Sequence, residues 1–125
     1  MSRWANDELS RIDAVDELRI STRRADGSLR KPVIIWAVRV DNDLYIRAVR
    51  GVSGLWYRHA IETGAGSVSA GGVERETTFT SVSDEDVNRQ IDAAFQQKYS
   101  RYAQSIVDST LTDSAREATL KVTPT

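Results

Sequence analysis

Leu18, Ile20 and Thr22 alternate with Arg19, Ser21 and Arg23, the period-two pattern of a half-buried strand, and Ala25-Asp26-Gly27 supplies the turn after it. Pro32 has no N–H for a ladder and opens the next strand, Val33-Ile34-Ile35-Trp36-Ala37-Val38, which is apolar on both faces and therefore central. A three-residue loop, Asp41-Asn42-Asp43, is expected to join it to the following strand. Val40 then faces Leu44, Val38 faces Ile46 and Trp36 faces Ala48, so that one face is wholly apolar. A two-residue loop would set Arg39 opposite Leu44. Upstream, Asn6 with Asp7, Glu8, Leu9 and Ile12 predicts a short capped helix. Downstream, Ser53 caps a second short helix from Leu55 to Thr63, closed by Gly64.

Two further strands, Ser67 to Ala70 and Val73 to Thr80, flank Gly71-Gly72, a pair suited to a tight hairpin. Ser83-Asp84-Glu85-Asp86 resembles a helix-capping box. Val87, Ile91, Ala94, Phe95, Tyr99, Tyr102 and Ile106 follow at helical spacing and predict one long helix, with Leu120 and Val122 in a last strand. The fold expected is α+β: a small antiparallel split β-barrel with a short N-terminal helix, a short central helix and a long helix near the C-terminus, in a single domain over residues 1–125.

Composition narrows the chemistry. The 125 residues include no Cys, which excludes a disulfide framework, a thiol nucleophile and thiolate-bound zinc, and the single His59 cannot build a histidine metal cluster. The longest apolar run is far shorter than the ~20 residues of a membrane span, and the polar N-terminus does not read as a signal peptide, so a cytoplasmic protein is expected. Net charge is −1, but its distribution is uneven. Between Arg19 and Arg58 lie nine basic residues against Asp26, Asp41 and Asp43, a surplus of +6, and the rest of the chain carries −7. Eight of the nine are Arg, whose planar fork suits phosphate or carboxylate, and an anionic small-molecule ligand is implied.

No catalytic constellation stands out. His59 has no G-x-S-x-G turn beside it, and Asp84, Glu85 and Asp86 sit where a helix start favours negative charge. Gly64, Gly66, Gly71 and Gly72 fit neither the dinucleotide fingerprint nor the P-loop. Trp36, Tyr45, Trp56 and Tyr57 among arginines suit base stacking, but the slightly negative net charge and the absence of an RNA-recognition signature argue against nucleic acid.

The stretch Thr22-Arg23-Arg24-Ala25-Asp26-Gly27-Ser28-Leu29-Arg30-Lys31-Pro32-Val33, then Asp43-Leu44-Tyr45-Ile46-Arg47-Ala48-Val49-Arg50-Gly51 and Leu55-Trp56-Tyr57-Arg58, is similar to the flavin- and deazaflavin-binding split barrels, the pyridoxamine phosphate oxidase-like superfamily. Within it the chain resembles the bacterial domain-of-unknown-function family 2255 over nearly its whole length, including Gly71-Gly72-Val73-Glu74-Arg75 and Lys98-Tyr99-x-x-Tyr102. The resemblance implies a homodimer with an interfacial cofactor, FMN or the deazaflavin F420, and possible oxidoreductase chemistry by hydride transfer to a small molecule. It places Thr22, Arg23, Arg24 and Lys31 of the first hairpin, Trp36, Arg47, Ala48 and Arg50 of the following strands and turn, and Trp56 of the next helix around that cofactor. Val49 and Gly51 lie in the same strand-and-turn stretch. Tyr45 and Tyr57, near these positions in sequence, are candidate proton donors. The deazaflavin branch carries a glycine between its Thr and basic pair and Asn-Leu then Pro after Trp-Tyr, whereas this chain has Thr22-Arg23-Arg24 and Arg58-His59-Ala60. FMN, F420 and a cofactor-free binding or interaction module for another anion, such as haem or a nucleotide, therefore all stay open.

Overall fold

The computed structural model describes residues 3–125. Helix α1 (Asn6–Asp13) leads into strand β1 (Glu17–Thr22), the hairpin strands β2 (Val33–Val40) and β3 (Asp43–Arg47), a 3-10 turn at Gly51–Ser53 and helix α2 (Leu55–Thr63). Strands β4 (Ala65–Ala70) and β5 (Val73–Ser81), helices α3 (Glu85–Lys98), α4 (Gln104–Asp108) and α5 (Asp113–Glu117), and strand β6 (Thr119–Pro124) complete it. The six antiparallel strands close in the order β1-β2-β3-β6-β5-β4. The α+β barrel expected from the sequence is thus the fold of the chain.

Inside the barrel, Leu18, Ile20, Leu44, Ile46, Val68, Leu120 and Val122 are almost fully buried, each worth about 1.5–3 kcal/mol relative to an exposed side chain. Helix α1 covers one end with Leu9 and Ile12. It also satisfies two arginines at that end: Arg39 donates to Asn6 Oδ1 (2.6 Å) and Ser10 Oγ (3.2 Å), and Arg75 to both Glu8 carboxylate oxygens (3.0 and 2.8 Å). Helix α2 contributes Tyr57 and Ala60 to the same core, and Gly64, at φ 67°, terminates that helix in the left-handed conformation. Helix α3 packs Ile91 and Phe95, and Tyr99 just beyond its end, with Val38 and Tyr45, forming a second core.

The register of β2 and β3 differs from expectation. Ala37 pairs with Ile46, Val38 with Tyr45, Arg39 with Leu44 and Val40 with Asp43, so the loop is the two-residue Asp41-Asn42. Asp41 takes φ 54°, the left-handed conformation that tight hairpins need and that Asp tolerates. The expectation assumed that Arg39 would spoil an apolar face. Instead Arg39 stands at the end of the strand, where α1 supplies its partners, and the row holding Val38 and Tyr45 is the one that α3 buries. Two helix predictions also change: Gly54, not Ser53, caps α2, and α3 stops at Lys98. Tyr102 lies in the following turn and Ile106 in α4, while α5 is an additional short helix capped by the Thr112 hydroxyl on Ala115 N–H.

Strand β2 changes partner halfway along. Val33 to Trp36 pair with β1 and Ala37 to Val40 pair with β3, which leaves one edge of each half without a strand neighbour. Along the second half, side chains fill the split: the Tyr99 hydroxyl accepts from the Ala37 N–H (3.1 Å) and donates to the Asp16 carbonyl (2.7 Å), and Lys98 Nζ donates to the Ala37 carbonyl (2.7 Å). Burial lowers the Lys98 pKa, partly offset by Asp13. Along the first half the split stays open as a groove.

Candidate functional site

The groove encloses about 760 Å³, within the roughly 300–1,000 Å³ typical of ligand pockets. Its apolar wall comes from Val33, Ile34, Ile35 and Trp36 of β2, Ala48 and Val49 after β3, and Leu55 and Trp56 at the start of α2. Phe95 of α3 and Ile106 of α4 close the far side. Of the eight exposed large hydrophobics among the described residues, five lie on this groove: Val33, Ile34, Val49, Leu55 and Ile106. A contiguous apolar surface of this kind marks an interaction site.

The charged groups on the lining have one sign. Arg24, Arg30, Lys31, Arg47 and Arg50 line the groove with His59, and among the described residues no Asp or Glu does. Among the described residues, Arg24, Arg30, Lys31 and Arg50 form no ion pair with a carboxylate. Arg24 reaches only neutral acceptors, the Leu29 carbonyl (3.1 Å) and Ser28 Oγ (3.3 Å). Arg30 Nε is buried without any hydrogen-bond partner, a condition that costs about 1–3 kcal/mol for an ordinary polar group and more for a charged one. An anion in the groove would satisfy it.

Arg47 is different. Its side chain is fully buried, and its five N–H groups donate to Thr119 Oγ1 (2.9 Å), Asp92 Oδ1 (2.5 Å), the Thr110 carbonyl (3.0 Å), the Asn88 carbonyl (3.2 Å) and Asn88 Oδ1 (2.9 Å). An arginine has five such donors, so none is left for a ligand. The guanidinium lies 5.5 Å from the Phe95 ring centre, and Asp92 is shared with Arg116 (2.9 Å). Burial lowers the Arg47 pKa, and Asp92 opposes that shift. Arg47 thus pins β3 to α3, β6 and the segment before α5, and so holds the groove wall in place.

Of the residues anticipated from sequence, the structure brings Thr22, Arg24, Lys31, Trp36, Arg47, Ala48, Arg50 and Trp56 together on this groove. Arg23 does not line it: its guanidinium donates to the Gly27 carbonyl (2.5 Å) and pairs with Glu76. Neither Tyr45 nor Tyr57 lines it. Tyr45 is packed with the α3 core, where burial and the neighbouring Asp43 raise its pKa, and Tyr57 belongs to the barrel core. The sequence reading did not place Arg30, His59, Leu55, Ile106, Ser109 and Thr110 at the site. Arg30 was legible in the +6 segment. Ile106, Ser109 and Thr110 carry no such signal, because they arrive only through the break after α3.

The chain matches, over residues 8–122, the family DUF2255, described as an uncharacterized protein conserved in bacteria. No curated protein matches it. Among solved structures, it is similar to a conserved hypothetical protein from Mycobacterium tuberculosis at TM-score 0.67 and 11% identity, covering 99% of this chain and 81% of that one. A candidate pyridoxamine 5′-phosphate oxidase from Listeria innocua superposes at TM-score 0.62 and 9% identity, covering 96% and 90%. An F420-H2-dependent reductase does so at 0.61 and 18%, covering 86% and 92%. These likenesses establish a shared split-barrel fold. No helix among the described residues is long and apolar enough to cross a membrane.

Proposed function

The chain belongs to the bacterial family DUF2255, and from that premise we propose that its groove binds an anionic, ring-bearing cofactor, FMN or the deazaflavin F420, in a homodimer. The observation that carries this reading is the set of four basic side chains, Arg24, Arg30, Lys31 and Arg50, on an apolar lining that contains no acid. Guanidinium and ammonium groups without internal carboxylates suit a phosphate, and the orphaned Arg30 Nε fits an acceptor there. Ile34, Trp36 and Trp56 supply the flat apolar surface that a planar ring needs. The fold shared with the F420-H2-dependent reductase supports the same reading. When bound, such a cofactor supplies hydride-transfer chemistry, and the protein contributes binding, orientation and exclusion of water. The reaction proposed is reduction or oxidation of a small molecule. Thr22, His59, Ser109 and Thr110 also line the groove, and they are candidates to orient that substrate.

The exposed apolar residues around the groove, which a second copy would cover, support the homodimer. The experiment is an absorbance spectrum of the purified protein followed by calorimetric titration with FMN, F420 and haem. Micromolar or tighter binding of FMN or F420, weakened in Arg50→Gln and Arg24→Gln with unchanged melting temperature, is the expected result. Binding of haem alone would replace the redox reading with that of a binding module for another anion.

A further inference from the structure

Trp36 belongs to the groove, but its ring does not end there. Behind it lies Tyr99, stacked with ring centres 3.8 Å apart and planes within 2°, and Tyr102, with its ring centre 5.0 Å from that of Trp36 and tilted by 51°. The two tyrosines differ in what surrounds their hydroxyls. Tyr99 is fully buried and donates to a backbone carbonyl, the oxygen of Asp16, which is no base. Tyr102 is half-buried and donates to the Asp16 carboxylate at Oδ2 (2.6 Å). Arg101 pairs with the same carboxylate, and together with the Tyr102 hydroxyl it lowers the Asp16 pKa, so that the acceptor is ionised at neutral pH.

A phenol is most easily oxidised by one electron when its proton has somewhere to go, because the phenol radical cation is a strong acid. An indole is the easiest of the remaining aromatic side chains to oxidise directly. We infer that Trp36, Tyr102 and Asp16 form a one-electron relay between the groove and the protein surface, with Trp36 facing the ligand and Tyr102 holding the radical at its outer end. The relay's physiological use rests on the redox-cofactor reading of the groove, whereas its conduction does not.

Trp36 would give one electron to a one-electron oxidant in the groove, for which a light-excited flavin-type ring would serve, leaving an indole radical cation and the oxidant reduced by one electron. The Trp36 radical cation then takes one electron from Tyr102, whose O–H bond breaks as the proton passes to Asp16 Oδ2. Trp36 is restored, and a neutral Tyr102 phenoxyl radical stands beside a neutral carboxylic acid. Tyr99 stacks on Trp36 and holds it in place, but its hydroxyl has no carboxylate to receive a proton. This arrangement would carry oxidising equivalents away from the groove before they damage its walls.

The test needs no bound cofactor. Azide radical, generated by pulse radiolysis, oxidises indoles in the intact protein, and the optical bands of the indole and phenoxyl radicals are followed in time. The expected result is decay of the indole radical with a matching rise of phenoxyl, at a rate independent of protein concentration. That rise is lost in Tyr102→Phe and in Trp36→Phe, retained in Tyr99→Phe, and slowed in Asp16→Asn and in heavy water. An undiminished phenoxyl rise in Tyr102→Phe, or a rate that scales with protein concentration, would overturn the relay. Failure of FMN or F420 to bind in the titration above would overturn the cofactor reading while leaving this result intact.

Discussion

Replacing Arg47 by Met keeps most of the stem's volume and removes the guanidinium. The structure allows the cost to be worked out. Five donors disappear, and summing them as separate charge-assisted bonds at about 1.5–3 kcal/mol each would match the whole stability of a typical domain. The sum overstates the loss because the native bonds replace bonds to water, and because Asp92 keeps its pairing with Arg116 through Nε (3.0 Å) and the second amino nitrogen (2.9 Å). Asn88, Thr119 and the Thr110 carbonyl are left buried with a lost partner. Breaking a buried pair typically costs about 3–5 kcal/mol. With an unfolding entropy of about 2.1 cal/mol/K per residue, that corresponds to a fall in Tm of roughly 10–20 °C for a chain of this length. Urea unfolding monitored by circular dichroism, with m unchanged, is the assay. The parallel variant Arg50→Gln, at a residue with no carboxylate partner, stays within about 0.5 kcal/mol of the parent. An Arg47→Met protein within about 1 kcal/mol of the parent would refute the reasoning.

Gly66→Ala is expected to destabilise by about 1–3 kcal/mol in the same assay, since its Cβ would overlap the Ser21 carbonyl oxygen of the neighbouring strand; an unchanged midpoint would show that the strands yield. Glu8 accepts from the Ala5 N–H (3.0 Å) and from Arg75, which lower its pKa from the ordinary 4.5. Its contribution is therefore present above pH 4.5 and lost as pH falls through the lower folded value, so the stability gap between the parent and Glu8→Gln should close in acid, as read from urea midpoints across pH. A gap that widens below pH 4.5 would reverse the sign. Light scattering should give the mass of two chains for the parent and of one for Ile34→Lys, which charges the exposed β2 residue on the groove; one chain's mass for the parent across micromolar concentrations would remove the dimer.

The local sequence determined the elements whose causes are themselves local. Gly64 ends α2, Gly71-Gly72 turns β4 into β5 with φ of 57° and 81°, and Asp84 accepts from Val87 N–H (3.0 Å) to start α3. Alternation and turn chemistry act over a few residues, so the chain carries them wherever it folds. The cationic middle segment was legible for the same reason, as a count along the chain. Tertiary structure decided the rest. The β2–β3 register turned on whether Arg39 would find partners, and those partners, Asn6 and Ser10, lie about thirty residues earlier in the chain. The break after Lys98 was hidden because Tyr99, Tyr102 and Ile106 keep helical spacing; what fixes Tyr99 is its hydroxyl at Ala37 and Asp16, contacts more than sixty residues away. Arg47 and Arg50 read alike in sequence, three positions apart on one strand and its turn. Only packing separates them: the first meets Asp92, Asn88 and Thr119 in the interior, whereas the second meets no acid and is left to the groove. Whether a charge is spent inside the protein or offered to a ligand depends on which acceptors the fold brings beside it, and composition does not encode that.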